Sequence, residues 1–309
     1  MDLTPAIMKE TEKENIMNLT TNKNQLVKMA VNTSVDHPRI KGYRGGYDGR
    51  ARICVGTGGV TYSHAIGDPC MDLAGDHVEP GVSMANSKDG ENHAVETLSC
   101  VGNEVKILSG EAKGAKGIVT GTHGGIDHTM AWFPQEVIEK LDGTESFLIK
   151  THGQGLKVME TPEVFYMNLD PELFELMDLD VDEEGNLLFP VAAVIPAFLM
   201  GSGVGSSTIM EGDYDIMTQD PEANEKFGLN KLRFGDFVAI LDHDSEYGPH
   251  YKKGAVTVGI IVHSDSFTSG HGPGVAVLAT SRTGKIKPVG RGKTNLADFA
   301  EELLAKRAQ

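Results

Sequence analysis

Thirty-seven of the 309 residues are glycine, and they follow no G-X-Y period. Glycine makes tight turns and close backbone approaches easy and makes helix interiors costly. A chain so rich in it reads as short strands joined by many turns. Between residues 43 and 80 the chain is punctuated by glycines, among them Gly45-Gly46, Gly49, Gly58-Gly59, Gly67 and Gly75, which leaves room for strands but little helix. The expected fold class is therefore mainly β with a few short helices (α+β). It comprises two glycine-rich domains of barrel or sandwich type and a C-terminal amphipathic helix.

Residues 25–32 alternate, with Val27, Met29 and Val31 on one face, and predict a strand. Residues 105–108 and 117–120 are apolar runs around a Gly/Lys turn, a strand–loop–strand unit resembling the KOW-type hairpin of small SH3-like barrels. Further strands are predicted at 146–149, 157–159, 237–241, 256–262 and 274–279. Short helices are predicted at 6–17, at 134–141 behind Pro134, and at 171–177. The terminal helix has Asn295 as cap, the stripe Leu296, Phe299, Leu303 and Leu304, and Lys306-Arg307 in its last turn. The acidic stretch 178–186 divides the chain into an N-terminal arm (1–24), an N-terminal β-rich domain (25–186) and a C-terminal β-rich domain with the helix (187–309).

Net charge is −16, from 28 basic and 44 acidic residues, which disfavours nucleic acid as a partner. The hairpin lysines Lys106, Lys113 and Lys116 keep an RNA-associated role as a minor alternative. No apolar run approaches the roughly 20 residues of a membrane span, and residues 1–15 lack the apolar core of a secretory signal. The expectation is a cytoplasmic protein without a membrane partner, assembled as a homo-oligomer. Cys54, Cys70 and Cys100 form no C-x-x-C pair, so neither a disulfide framework nor a zinc ribbon is expected.

Several strings are distinctive: Gly56-Thr57-Gly58-Gly59-Val60-Thr61-Tyr62, Asp76-His77-Val78-Glu79-Pro80-Gly81, and Gly114-Ala115-Lys116-Gly117 leading to His123-Gly124-Gly125. Others are His152-Gly153-Gln154-Gly155, Met200-Gly201-Ser202-Gly203, Gly212-Asp213-Tyr214-Asp215, His263-Ser264-Asp265-Ser266 and Gly270-His271-Gly272-Pro273-Gly274. Together, over roughly residues 45–290, they resemble a prokaryotic family known as domain of unknown function 4438, which has N- and C-terminal parts. The resemblance implies a two-part chain and no activity.

The chemistry must then come from the residues. In an extended segment His77 and Glu79 share a face and Asp76 points away, which makes half of a metal site, an acid/base pair or a salt-bridged turn. His263 and Asp265 repeat that spacing, and His271 follows between glycines, where a ligand can approach the backbone closely. His123, His128 and His152 also border glycine-rich loops. The loop Gly201-Ser202-Gly203 lacks a P-loop lysine, so it is a candidate for backbone binding of an anion or carboxylate. Asp213 and Asp215 lie on one strand face, as a turn or a cation site would place them.

Asp76, His77, His123 and His263 are accordingly the candidate metal ligands. Glu79, Asp265 and His271 are the candidate catalytic groups, and zinc or manganese is the divalent ion that such nitrogen and oxygen donors suit. The leading reading is a metal-assisted hydrolase or lyase acting on a small polar metabolite. An acidic, glycine-rich composition with G-D-x-x motifs gives it an analogy to the acetamidase/formamidase group. The alternative is a ligand-binding or assembly module without catalysis.

Overall fold

In the computed structural model, which describes residues 19–40 and 42–308, the glycine-punctuated first half forms a barrel. Its strands begin with β1 (Met29–Val35), after a short ribbon of β2 (Tyr43–Gly45) and β3 (Ala51–Ile53) come β4 (Val60–Thr61) and β5 (Gly81–Ala85). They continue through β6 (Glu104–Ile107), β7 (Lys116–His123), β8 (His128–Trp132) and β9 (Ser146–Thr151). The order is β1-β9-β6-β7-β8-β5-β4, and pairing of Ser34 with Ala85 and Val35 with Met84 closes six of these strands into a ring. Closure leaves the ring without a free edge. Its interior is filled by alternate residues, among them Val82, Met84, Val105, Ile107, Phe147 and Ile149.

The hairpin read from residues 105–120 is β6–β7, paired through Val105 and Gly117. A Cβ on Gly117 would lie 2.1 Å from the Trp132 carbonyl oxygen, so this glycine serves close strand packing. Lys116 and Lys150, both on the surface, pair with the buried Glu104 at 2.8 and 2.7 Å.

The second half adds β10 (Phe165–Tyr166), β11 (Asp180–Val181), β12 (Leu187–Pro190), β13 (Ala193–Pro196) and β14 (Tyr214–Asp215). Then come the long strands β15 (Phe237–Asp244), β16 (His250–Ile261) and β17 (Gly274–Ser281), and finally β18 (Ile286–Val289). A sheet of order β10-β17-β16-β15-β13, with β14 on β17, lies beside the barrel, and β11-β12-β18 form a small third sheet. Ile118 and Met130 from the barrel wall share one core cluster with Val262, Ala276 and Leu278. The acidic 178–186 segment contains the turn between β11 and β12.

The chain is mainly β, as expected, with five short α-helices among the described residues. They are α1 (Asp89–Leu98), α2 (Gln135–Ile138), α3 (Pro171–Leu176), α4 (Pro221–Phe227) and α5 (Ala297–Ala308). Asn295 Oδ1 accepts the Ala297 N–H at 2.8 Å, and Phe299 and Leu303 bury the inner face of α5. Arg307 at its end bonds Asp170 and Glu172, tying the last helix to α3. Helices α1 and α4 carry weak apolar patterns and were not expected. The strand read at 25–32 begins only at Met29, and 157–159 is reduced to a single bridge from Val158 to Thr21. The helix read at 6–17 lies outside the described residues.

A candidate metal centre

The segment entering β5 is not extended, because His77 has φ +50°. Alternation fails there, and the expected facing of His77 with Glu79 gives way to a different pairing. Asp76 folds back onto its neighbour, and its Oδ2 accepts from His77 Nδ1 at 2.9 Å. The other oxygen accepts from Ser266 Oγ at 2.6 Å and the Phe267 N–H at 3.2 Å. Burial would raise the Asp76 carboxyl, but the bonds from His77 and Ser266 win and bring it down to about 2. With Nδ1 engaged, His77 directs Nε2 to His271 Nδ1 at 3.2 Å and to Asp215 Oδ2 at 3.5 Å.

Glu79 goes the other way, into the barrel wall, where it is fully buried. Its carboxylate accepts from His123 Nδ1 at 2.6 Å, from His128 Nδ1 at 2.9 Å, from the Gly58 N–H at 2.7 Å and from Ser83 Oγ at 2.5 Å. His123 ends β7 and His128 opens β8, so one tight turn carries both imidazoles to one carboxylate. His128 Nε2 reaches Asp36 at 3.0 Å. Burial opposes the charge on Glu79, yet the two imidazoles hold it well below the usual carboxylate range. Burial also opposes charge on His128, yet Glu79 and Asp36 raise that group to about 9.

His263 follows β16 and is fully buried; its Nδ1–H donates to the Ser264 carbonyl at 2.9 Å. Nε2 therefore faces Asp213 Oδ2 at 2.7 Å and Asp215 Oδ1 at 3.6 Å. His263 Nε2 and Asp213 Oδ2 are both buried and have only each other and, for His263, Asp215 as close polar partners. Two lone-pair atoms in that relation fit a shared cation. Gly274 opens β17 beneath them, where a Cβ would lie 1.8 Å from Asp213 Oδ2 and 2.3 Å from His263 Nε2. Asp215, on β14, also accepts from His271 Nδ1 at 2.8 Å. Donor atoms of His77, Asp215 and His263 lie within 4.8 Å of one another, as do those of His123, Asp213 and His263.

In each of His77, His123 and His263 an acceptor engages Nδ1, which leaves Nε2 as the nitrogen a cation would take in place of its proton, the arrangement in which outer-sphere groups orient metal-binding histidines. His77, His123 and His271 reach the floor of a cleft of about 1010 Å³, whose walls include Arg44, Thr57 and Asp127. Burial would lower His263, but the Asp213 and Asp215 carboxylates hold it well above the ordinary imidazole value. Asp215 is held well below the carboxylate range against its own burial by His263, His271 and His77.

Of the residues singled out in the sequence, His77, His123, His263 and His271 come together, with Asp76 and Glu79 directly behind them. Asp265 stands apart: its carboxylate accepts the Asp72 N–H at 2.9 Å, and burial pushes it up to about 6. The Gly201-Ser202-Gly203 loop braces the site through backbone bonds. Gly201 N–H donates to the Asp215 carbonyl and Ser202 N–H to the Gly270 carbonyl, both at 2.8 Å, so these two donors are consumed within the fold. His152 lies elsewhere, near the Lys23 carbonyl. Asp213 and Asp215 have a visible signal in their spacing, for which a turn is the favoured reading, whereas Asp36 has none.

The family described as domain of unknown function (DUF4438), N-terminal, matches residues 43–175, and its C-terminal counterpart matches residues 176–300. The chain belongs to this family. Among solved structures it is similar to one titled "Crystal structure of TM1086", at 43% identity over 91% of this chain and 99% of that one, with a TM-score of 0.85. No curated protein matches. In this DUF4438 chain the N-terminal part supplies His77 and His123, and the C-terminal part supplies Asp213, Asp215, His263 and His271. The candidate centre is therefore built across the junction of the two parts. Among the described residues, no helix is long and apolar enough to cross a membrane.

Proposed function

We propose that this protein is a metal-assisted hydrolase or lyase acting on a small polar metabolite. The observation that carries the reading is the set of three imidazoles whose Nδ1 atoms are anchored and whose Nε2 atoms converge on two buried carboxylates. A divalent ion of the zinc or manganese type, held by His77, His123, His263, Asp213 and Asp215, would supply Lewis acidity and activate water.

The chain's own contribution is orientation. Asp76, Glu79 and the Ser264 carbonyl keep a proton on each Nδ1, so that every Nε2 stays available to a cation. Glu79 is shut off from the cleft and acts as a positioning residue. The cleft offers polar walls, and Arg44 on its lining suits an anionic or strongly polar group of the substrate. His271, whose side chain is 33% exposed, stands where cleft and buried carboxylates meet.

The test is turnover of an amide, lactam and ester panel before and after chelation. Turnover should vanish with chelator and return with zinc or manganese. In Asp213→Asn it should fall by about 10³-fold or more, since one charged donor is lost while the shape is kept. Turnover that survives both chelation and Asp213→Asn contradicts the proposal.

A further inference from the structure

We propose that the centre holds two divalent cations side by side, bridged by the carboxylate of Asp215. This rests on the metal reading above and adds number and arrangement to it. The decisive feature is that the two oxygens of Asp215 serve different donor sets. Oδ2 lies 2.8 Å from His271 Nδ1 and 3.5 Å from His77 Nε2, whereas Oδ1 lies 3.6 Å from His263 Nε2. A carboxylate that only balanced one protonated imidazole would have no reason to divide in this way.

Each side is a site by size. A first-row divalent ion binds nitrogen and oxygen at about 2.0–2.2 Å, which places neighbouring donors of a tetrahedral set roughly 3.3 Å apart. His77 Nε2, His271 Nδ1 and Asp215 Oδ2 form a triangle with edges of 3.2, 2.8 and 3.5 Å. The second set is His123, His263 and Asp213, whose donor atoms fall within 4.8 Å of one another, with Asp215 Oδ1 as the shared donor 3.6 Å from His263 Nε2. The inner set contains the buried pair His263 Nε2 and Asp213 Oδ2, 2.7 Å apart. A carboxylate bridging two ions spaces them about 3.5–4 Å apart, the separation used by two-metal hydrolytic enzymes.

Charge points the same way. Asp76, Glu79, Asp213 and Asp215 are buried around the histidines, and Glu79's second imidazole, His128, is itself paired with Asp36. With neutral histidine ligands, four carboxylates carry a charge that two divalent ions cancel and one would leave half uncompensated. Leaving two like charges uncompensated in a dry site is strongly disfavoured.

The experiment is calorimetric titration of chelator-stripped full-length protein with Zn²⁺, repeated on His271→Ala and His123→Ala, with electron paramagnetic resonance of the Mn²⁺-loaded wild type. Wild type should take up two equivalents and each variant one, and the manganese spectrum should show exchange coupling. Circular dichroism on each variant checks that it remains folded, and the wild-type stoichiometry decides the matter even if one does not. One equivalent in wild type overturns the two-ion arrangement while leaving the metal reading in place. No uptake overturns both. Two equivalents with an uncoupled six-line manganese spectrum overturn the Asp215 bridge.

Discussion

Replacing Gly274 with alanine should abolish metal retention and cost about 1–3 kcal/mol of stability or more, although the change adds a single methyl group. The backbone is not the reason: Gly274 is not in the left-handed region, and alanine is an ordinary residue for a strand. The reason is space. The new Cβ would be 1.8 Å from Asp213 Oδ2 and 2.3 Å from His263 Nε2, far inside contact distance. Neither neighbour can retreat easily, because Asp213 Oδ1 accepts the Gly124 N–H at 2.8 Å and the His263 ring is pinned by Ser264. Gly203 is the control, since nothing lies within 4 Å of a Cβ built there. Thermal unfolding and metal content of Gly274→Ala and Gly203→Ala should separate cleanly. Retained metal in Gly274→Ala would mean that Asp213 and His263 do not hold it.

Glu79→Ala should be the most destabilising single change near the site, by about 3–5 kcal/mol, because it strands buried groups that the carboxylate now satisfies. His123 Nδ1, His128 Nδ1, the Gly58 N–H and Ser83 Oγ would all lose their acceptor at once. Glu79→Gln keeps the shape and removes the charge, so it should cost less and change the pH profile instead. In the metal-free protein His128 is raised from 6.5 to about 9. Its contribution is present in full below 6.5 and is lost as the pH rises through about 9. Glu79, depressed from 4.5, contributes above that value and loses its effect only as the pH falls through its own lower folded value. Metal-free wild type should therefore lose stability between pH 6.5 and 9, and Glu79→Gln, with only Asp36 left to favour charged His128, should show a shallower loss. Identical slopes would remove Glu79 from this role.

Where local pattern governs, the sequence was readable. The strands β6, β7, β9, β15, β16 and β17 follow apolar runs between glycines, and the α5 stripe with its asparagine cap stands where the pattern put it. Glycine beside histidine is also a usable sign, since His123 and His271 meet in one cluster with His77 and His263. The errors share a cause. Period-two reasoning across 76–79 and 263–265 assumed extended backbone, but His77 is left-handed and β16 has already ended at Ile261. Asp213 and Asp215 are brought to His263 and His271 through the pairing of β14 with β17, a contact some 60 residues distant in the chain that no local pattern encodes. Asp36, the outer partner of His128, is 92 residues from it.

Elemental analysis of untagged protein purified without chelator, with His263→Ala beside it, tests most directly whether these histidines and aspartates are a metal centre. Near-stoichiometric or higher divalent metal in wild type, lost in the variant, is the result expected. Wild-type protein that carries no metal and takes up neither added zinc nor added manganese would contradict it.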